Sequence, residues 1–205
     1  ILLSGPRSEQ HWQEDDDSPM DFFDMKGVLT QMFENLQLKE IDFEAVVHST
    51  FHPGKCASVK IQGLPIGLFG EVHPLVKSNY DLPEYPVMVA ELDVDAIQPL
   101  VPDRYNLVTV PVFPPVLEDL AMVVDESISA EQIANLIRKT GGATITDIKL
   151  FDVYRGGQAG PGKKSLAFNL TYQNPDRTLT DEEVARIRQK IVKHLDKELG
   201  AQLRS

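Results

Sequence analysis

The sequence predicts an α+β protein built in two domains, and three observations carry the prediction. Five prolines, Pro99, Pro102, Pro111, Pro114 and Pro115, crowd a short stretch that can sustain neither a helix nor a central strand. Beyond it the apolar residues recur at strand and helix periods in the order strand, helix, strand, strand, helix, strand. Before it, one amphipathic helix and four strand-like segments form a less regular mixture. A chain of 205 residues can hold two cores of this size. The boundary is placed between residues 100 and 115, with domains over 1–105 and 111–205.

In the first domain Ser18, Pro19 and Asp21 mark a helix start before "FFDMKGVLTQMFENL". "IDFEAVVHS", "ASVKIQG", "IGLFGEVH" and "VMVAELDV" read as strands, joined by turns at Pro53-Gly54 and Gly63. The polar, acidic "EQHWQEDDDSP" ahead of the helix reads as a solvated loop, and its "EDDDS" run as exposed charge rather than a magnesium cage. His48, His52 and Cys56 are spaced by four, as zinc ligands on a helix would be. Pro53-Gly54 breaks any such helix and no fourth ligand is evident, so packing and turn hydrogen bonds are the expected roles.

The second domain opens with "EDLAMVVD", where Leu120, Met122 and Val124 alternate with Asp119, Ala121 and Val123 as in a half-buried strand. In "SAEQIANLIRKTGG", Ser129 and Gln132 form a capping box, Ile133, Leu136 and Ile137 an apolar stripe, and Gly141 and Gly142 a stop. "TDIKLFDVY" is a second strand whose alternation slips between Leu150 and Phe151, which predicts a β-bulge and turns Asp152 and Tyr154 together, away from Phe151 and Val153. "KSLAFNLTY" alternates cleanly, with Leu166, Phe168, Leu170 and Tyr172 opposite Ser165, Ala167, Asn169 and Thr171. "TDEEVARIRQKIVKHLDKELG" is a helix with a Thr180–Glu183 capping box, an apolar face of Val184, Ile187, Ile191, Leu195 and Leu199, and a stop at Gly200; "AQLR" could add an edge strand. This order is the split βαβ, ferredoxin-like βαββαβ arrangement: both helices cover one face of an antiparallel sheet and the other stays open.

The segment "RGGQAGPGKKS" imitates a nucleotide phosphate loop, with Gly157 and Gly162 followed by Lys163. It fails on context. It joins two strands where a phosphate loop leads into a helix, and Lys164 stands where a magnesium-binding Ser or Thr is required. A flexible hairpin with a basic tip is the plainer reading.

Net charge of −11 argues at face value against nucleic acid, but the excess is uneven. Residues 1–110 carry 18 acidic against 7 basic side chains; residues 111–205 carry 13 of each. Arg138, Lys139, Lys149, Arg155, Lys163 and Lys164 outnumber Asp147 and Asp152 between positions 138 and 164, so a basic face can exist there. Ile1, where an initiator methionine would stand, reads as a piece of a longer protein. No apolar run approaches a membrane span, and the lone Cys56 excludes an internal disulfide, which suits a reducing, cytoplasmic setting. No nucleophile elbow or self-sufficient active site is legible.

The sharper signal is the open face of the second domain. Strand parity places Ala121, Asp152, Tyr154 and Ser165 on it together. Small residues leave room, the Tyr154 ring offers a platform for a base, and Asp152 is an acceptor-only carboxylate. Such a pair can read the adjacent N–H donors of an unpaired guanine. The rival reading is a small-molecule or protein-interaction module without RNA binding, since this fold hosts many functions.

These residues also carry a family resemblance. "DFFDMKGVL", "HPGKCASVKIQG" and "IGLFGEVHP" resemble the class II synthetase core-like, non-catalytic domain of bacterial-type phenylalanyl-tRNA synthetase β subunits. "FPPVLEDLAMVV", "LFDVYRG" and "GKKSLAFNLTYQNPDRTLTDEEV" resemble their C-terminal ferredoxin-fold anticodon-binding domain. The resemblance implies that residues 1–105 serve subunit assembly, with no catalytic or metal residue and no cofactor in this stretch. It implies ATP and Mg2+ for the holoenzyme, a heterotetramer of two α and two β chains in the cytoplasm whose α subunit activates phenylalanine with ATP, with no DNA or membrane partner. The editing site of the family's β subunit and its magnesium-binding residues lie upstream. The second domain is then expected to contact the anticodon of tRNA-Phe through Ala121, Asp152, Tyr154 and Ser165, with Arg155, Lys163 and Lys164 supplying positive field. One departure stands out: Leu117 and Glu118 occupy a stretch where the family often has basic residues.

Overall fold

The proline-rich stretch separates two units, Ile1–Leu107 and Val108–Ser205, in the computed structural model, which describes residues 1–8, 12, 17–105, 107, 110–157 and 159–204. Most of the acidic "EDDDS" run, from Glu14 to Asp16, lies outside the described residues, as do Gln158 of the glycine hairpin and Ser205.

In the first unit the elements follow as β1 (Leu2–Ser4), α1 (Phe22–Asn35), β2 (Ile41–Ala45), β3 (Phe51–Ile61), β4 (Leu64–Val72), α2 (Pro74–Asn79), β5 (Val87–Leu92) and α3 (Val94–Ile97). Five antiparallel strands lie in the order β1-β5-β4-β3-β2. Asp21 caps α1 and exchanges a reciprocal bond with Asp24, satisfying donors that the first turn leaves unpaired. Met25, Leu29 and Phe33, four residues apart, seal the helix onto Val59, Ile61, Phe69 and Met88. The Phe22 ring stacks on Phe69 with centroids 4.7 Å apart.

Two turn assignments come out differently. Gln62 and Gly63, with φ of 52° and 76°, make the tight β3–β4 hairpin as expected. Pro53-Gly54 does not join two strands. It sits inside β3, in an irregularity between the pairs Phe51↔Val72 and Cys56↔Gly70, and the reversal falls earlier, where the Phe51 N–H donates to the His48 carbonyl. An edge-like bulge tolerates proline because no ladder bond is asked of it. His48 and His52 use their Nδ1 atoms as acceptors for the Thr50 and Gly54 N–H groups, and Cys56 is buried, which pushes its thiol pKa up. Among the described residues no three His, Cys, Asp or Glu side chains converge on a metal site.

The second unit runs β6 (Val116–Asp125), α4 (Ala130–Gly141), β7 (Ile145–Tyr154), β8 (Lys163–Tyr172), α5 (Asp181–Leu199) and β9 (Gln202–Leu203). Its antiparallel sheet has the order β7-β8-β6-β9, so β6 and β7 are parallel but separated by β8, which is the ferredoxin-like split. Both capping boxes form, Ser129 with Gln132 and Thr180 with Glu183, and Gly200 ends α5 in the left-handed region at φ 60°. Ile133, Leu136 and Ile137 of α4 and Val184, Ile191 and Leu195 of α5 cover Leu120, Met122, Leu166, Phe168, Leu170 and Tyr172. A bulge interrupts β7 between Leu150 and Asp152, as the broken alternation requires.

Candidate nucleic-acid interface

Because cross-strand partners in an antiparallel sheet project to the same side, the register alone defines the helix-free face. One row across it is Asp152, Ala167 and Ala121. The Arg204 N–H donates to the Ala121 carbonyl at 2.9 Å and extends that row past β9. The next row is Tyr154, Ser165, Val123 and Gln202. In the other direction stand Lys149, Asn169 and Asp119, with the Asn169 amide donating to Asp119 Oδ1 at 2.9 Å.

The structure thus brings the four sequence-derived residues onto one face in two adjacent rows. Asp152 and Tyr154 lie on the same edge strand and are both exposed. Ser165 neighbours Tyr154, while Ala121 stands two strands from Asp152, with Ala167 between them. Two alanines make the floor between the carboxylate and β9 low, over roughly the 10 Å that two inter-strand spacings cover. Ser165 is only 3% exposed although it faces away from the helices.

Arg204, which the sequence reading passed over, explains part of that burial. Its Nη1 reaches to 3.5 Å from Ser165 Oγ, and its guanidinium carbon lies 5.2 Å from the centroid of the Tyr154 ring. To reach from β9 to the far edge strand, the side chain extends over the alanine floor. The ring itself is folded toward Gly156: a Cβ built on that glycine would fall 2.3 Å from Tyr154 Oη. Gly156 is therefore part of the site through the side chain it lacks.

The three basic candidates separate. Lys163 has the parity of Ser165 and faces the helix-free side, opposite Asp125. Lys164 has the parity of Leu166, lies on the helix side opposite Val124, is 8% exposed, and donates from Nζ to the Glu126 carbonyl at 2.8 Å. Arg155 is exposed but its Nε donates to Glu126 Oε1 at 2.9 Å. One glutamate thus engages two of the three cations, a contact that local charge counting cannot show. Arg138 and Lys139 belong to the last turn of α4, on the covered side, so the open face holds Lys149, Lys163 and Arg204 rather than the whole basic excess.

The departure at Leu117 and Glu118 also divides by parity. Leu117, 63% exposed, is on the helix-free side opposite Thr171. Glu118 turns the other way, 3.3 Å from both Arg188 Nε of α5 and the Tyr172 hydroxyl. Burial, reinforced by the Glu118 carboxylate, raises the Tyr172 phenol well above its ordinary range.

A four-stranded antiparallel sheet in this order, with both helices on one face, defines a ferredoxin-fold domain, and residues 111–204 match the family described as ferredoxin-fold anticodon binding domain. Residues 1–94 match the family described as phenylalanyl tRNA synthetase beta chain CLM domain. Curated relatives agree along the whole chain. The phenylalanine–tRNA ligase beta subunit of Clostridium acetobutylicum is 41% identical over 186 residues, 90% of this chain and 23% of its own length. That of Halalkalibacterium halodurans is 40% identical over 203 residues, 98% of this chain and 25% of its own. That of Symbiobacterium thermophilum is 37% identical over 205 residues, all of this chain and 23% of its own. The chain belongs to the phenylalanyl-tRNA synthetase beta-subunit family and spans about a quarter of the length of these relatives. No helix among the described residues is long and apolar enough to cross a membrane.

Proposed function

We propose that this chain is the part of a phenylalanine–tRNA ligase β subunit that reads the anticodon of tRNA-Phe, together with a non-catalytic domain that supports assembly with the α subunit. The observation that carries the reading is the common orientation of Asp152 and Tyr154, both exposed on the helix-free face beside a low alanine floor. The phenol ring gives an unpaired base a surface to stack on, and the carboxylate accepts from the adjacent N–H groups of a guanine edge. Lys163 and Lys149 are placed to meet phosphates on either side.

Phenylalanine activation with ATP belongs in this reading to the α subunit, and the Mg2+ of the holoenzyme is bound outside this stretch. Two α and two β chains would form the cytoplasmic holoenzyme, and this stretch would contribute positioning of the tRNA rather than bond-making.

The test is binding of tRNA-Phe to the full-length protein, compared with a tRNA whose first anticodon base is changed. Tyr154→Ala should weaken binding by about 1–3 kcal/mol, the worth of one base–aromatic stack. Asp152→Asn should cost more with guanine at that position than with adenine. Equal binding by wild type and both variants, with no preference between the two tRNAs, would leave the face as an ordinary sheet surface.

A further inference from the structure

The net charge of −11 conceals a basic ridge on the side of the second unit that faces away from Asp152 and Tyr154. In α5, Val184, Ile191 and Leu195 are buried against the sheet, while Arg186, Lys190, Lys193 and Lys197 stand exposed on the opposite side of the helix. Spaced by four, three and four residues, each is the direct neighbour of the next, about 5–6 Å away between Cβ atoms. The line they form is roughly 16 Å long at the rise of an α-helix. None of the four makes an ion pair among the described residues. We propose that this ridge is a second RNA contact, which grips the phosphate backbone of a duplex without reading its bases.

The ridge works against the helix that carries it. Like charges at these spacings destabilise an α-helix, and packing does not call for them, because the buried face of α5 is complete without them. The acidic side chains of α5 lie off the ridge. Asp181 and Glu182 are confined to the first turn, Glu183 is engaged by Arg177, and Asp196 lines the groove beside β9. Glu198 stands one turn beyond His194, on the side where His194 Nδ1 lies 3.2 Å from Thr140 Oγ1 of α4. Two more exposed cations, Arg138 and Lys139, sit in that last turn of α4 and extend the positive field along the helix layer. The kind of partner follows from what is missing beside the charge. Among the described residues no large apolar side chain of α4 or α5 is exposed, whereas a protein interface or a membrane surface is anchored by such groups. α5 also carries no Phe, Tyr or Trp on which unpaired bases could stack. Evenly set positive charge without rings suits a duplex, held through its phosphates and its shape. The sheet separates this contact from the helix-free face, so the RNA gripped here is not the loop read there.

The test uses the full-length protein with two probes, a loop-free RNA duplex of about 16 base pairs and the anticodon stem-loop of tRNA-Phe. Replacing Arg186, Lys190, Lys193 and Lys197 together by Gln should flatten the slope of log affinity against log salt for the duplex by about 3–4, roughly 1 for each lost phosphate contact. Preference of the same variant for guanine in the stem-loop should be unchanged. Replacing the three lysines by Arg, which keeps the charge, should retain duplex binding. Glutamine is a good helix former and removes the like-charge pairs, so the fourfold variant should melt no lower than wild type. An unaltered salt slope and affinity for the duplex would overturn the proposal, as would loss of guanine preference in the variant alone, which would make the ridge part of the reading face. A polyglutamate peptide that binds the wild type as tightly as the duplex does, and fails to bind the fourfold variant, would assign the ridge to an acidic protein instead. A lowered melting point would show that the cations hold the helix, and the motive for the proposal would be gone. Wild type and variant both indifferent to guanine would count against the anticodon reading and leave the ridge standing on the duplex data.

Discussion

The guanidinium of Arg204 lies over the ring of Tyr154, 5.2 Å from its centroid, although Tyr154 ends edge strand β7 and Arg204 follows the opposite edge strand β9. That contact crosses the whole helix-free face and ties its two borders together. It also makes the conformation of Tyr154 depend on neighbours that touch no ligand, which is where the first prediction begins.

Gly156→Ala should impair RNA binding while leaving the fold intact. The added Cβ would fall 2.3 Å from Tyr154 Oη, so the ring must swing out of its place. Gly156 is outside the glycines with positive φ, so alanine is conformationally acceptable there. Binding of the tRNA-Phe anticodon stem-loop should fall about as far as in Tyr154→Ala, with the thermal midpoint changed little. Retention of full affinity would show that the ring position seen here is irrelevant to binding.

Lys163 and Lys164, adjacent in sequence, should behave as different kinds of residue. Lys163→Ala should reduce the slope of log affinity against log salt by about 1, the signature of one lost phosphate contact. Lys164→Ala should instead cost about 1–3 kcal/mol of stability, because the Glu126 carbonyl beneath it loses its donor. Salt titration of binding and urea unfolding of the same two variants separate the roles; identical profiles would contradict the parity assignment.

Glu183 should add an acid-sensitive component to stability. The Arg177 guanidinium, with the Thr180 N–H, holds its carboxyl down to about 2 from an ordinary 4.5. A depressed carboxylate pKa stabilises the folded state fully above 4.5, and the contribution is lost as pH falls from 4.5 toward 2, where the unfolded chain binds the proton more readily. Glu183→Gln should flatten the fall of the urea midpoint across that window and leave the curve above pH 6 parallel to wild type. Superimposable slopes below pH 4.5 would remove Glu183 from the account. The group is exposed, so the effect should be small and reduced by salt.

Gly67→Ala should be among the most damaging single changes in the first unit. Its φ of 155° is rare for an L side chain, and a Cβ there would lie 2.2 Å from the Glu91 carbonyl on the paired strand β5. A loss of roughly 2–4 kcal/mol is expected. Gly63→Ala provides the comparison: φ is 76° but nothing stands within 4 Å, so only the backbone term of about 1 kcal/mol applies. Equal destabilisation by the two variants, measured by denaturant unfolding, would refute the clash.

Elements with a strong period are legible in the sequence itself. The Ser129 and Thr180 caps, the alternation of Leu120, Met122 and Val124, and the slip before Phe151 each report a local constraint that the chain writes into neighbouring residues. The orientation of Asp152 and Tyr154 followed from that slip. β1, α2 and α3 were passed over because three to six residues are too few for a period to declare itself. Pro53-Gly54 misled for a different reason: a turn dipeptide marks where the chain departs from a regular ladder, and a bulge departs as surely as a reversal. The engagement of Arg155 and Lys164 by Glu126, and the reach of Arg204 to Tyr154, join residues 29 to 50 positions apart. No local pattern encodes such pairings; they appear only when strand register is known.

The borders of the second sheet have a consequence for how the protein survives at cellular concentration. On one side β9 offers just two ladder residues; on the other, β7 is broken twice, between Ile145 and Asp147 and between Leu150 and Asp152. A neighbouring polypeptide seeking to zip onto either margin would find too short a run or a mismatched one. The same interruptions that aim Asp152 and carry Arg204 thereby discourage fibrous stacking, even with Leu117 and Phe151 bared to water.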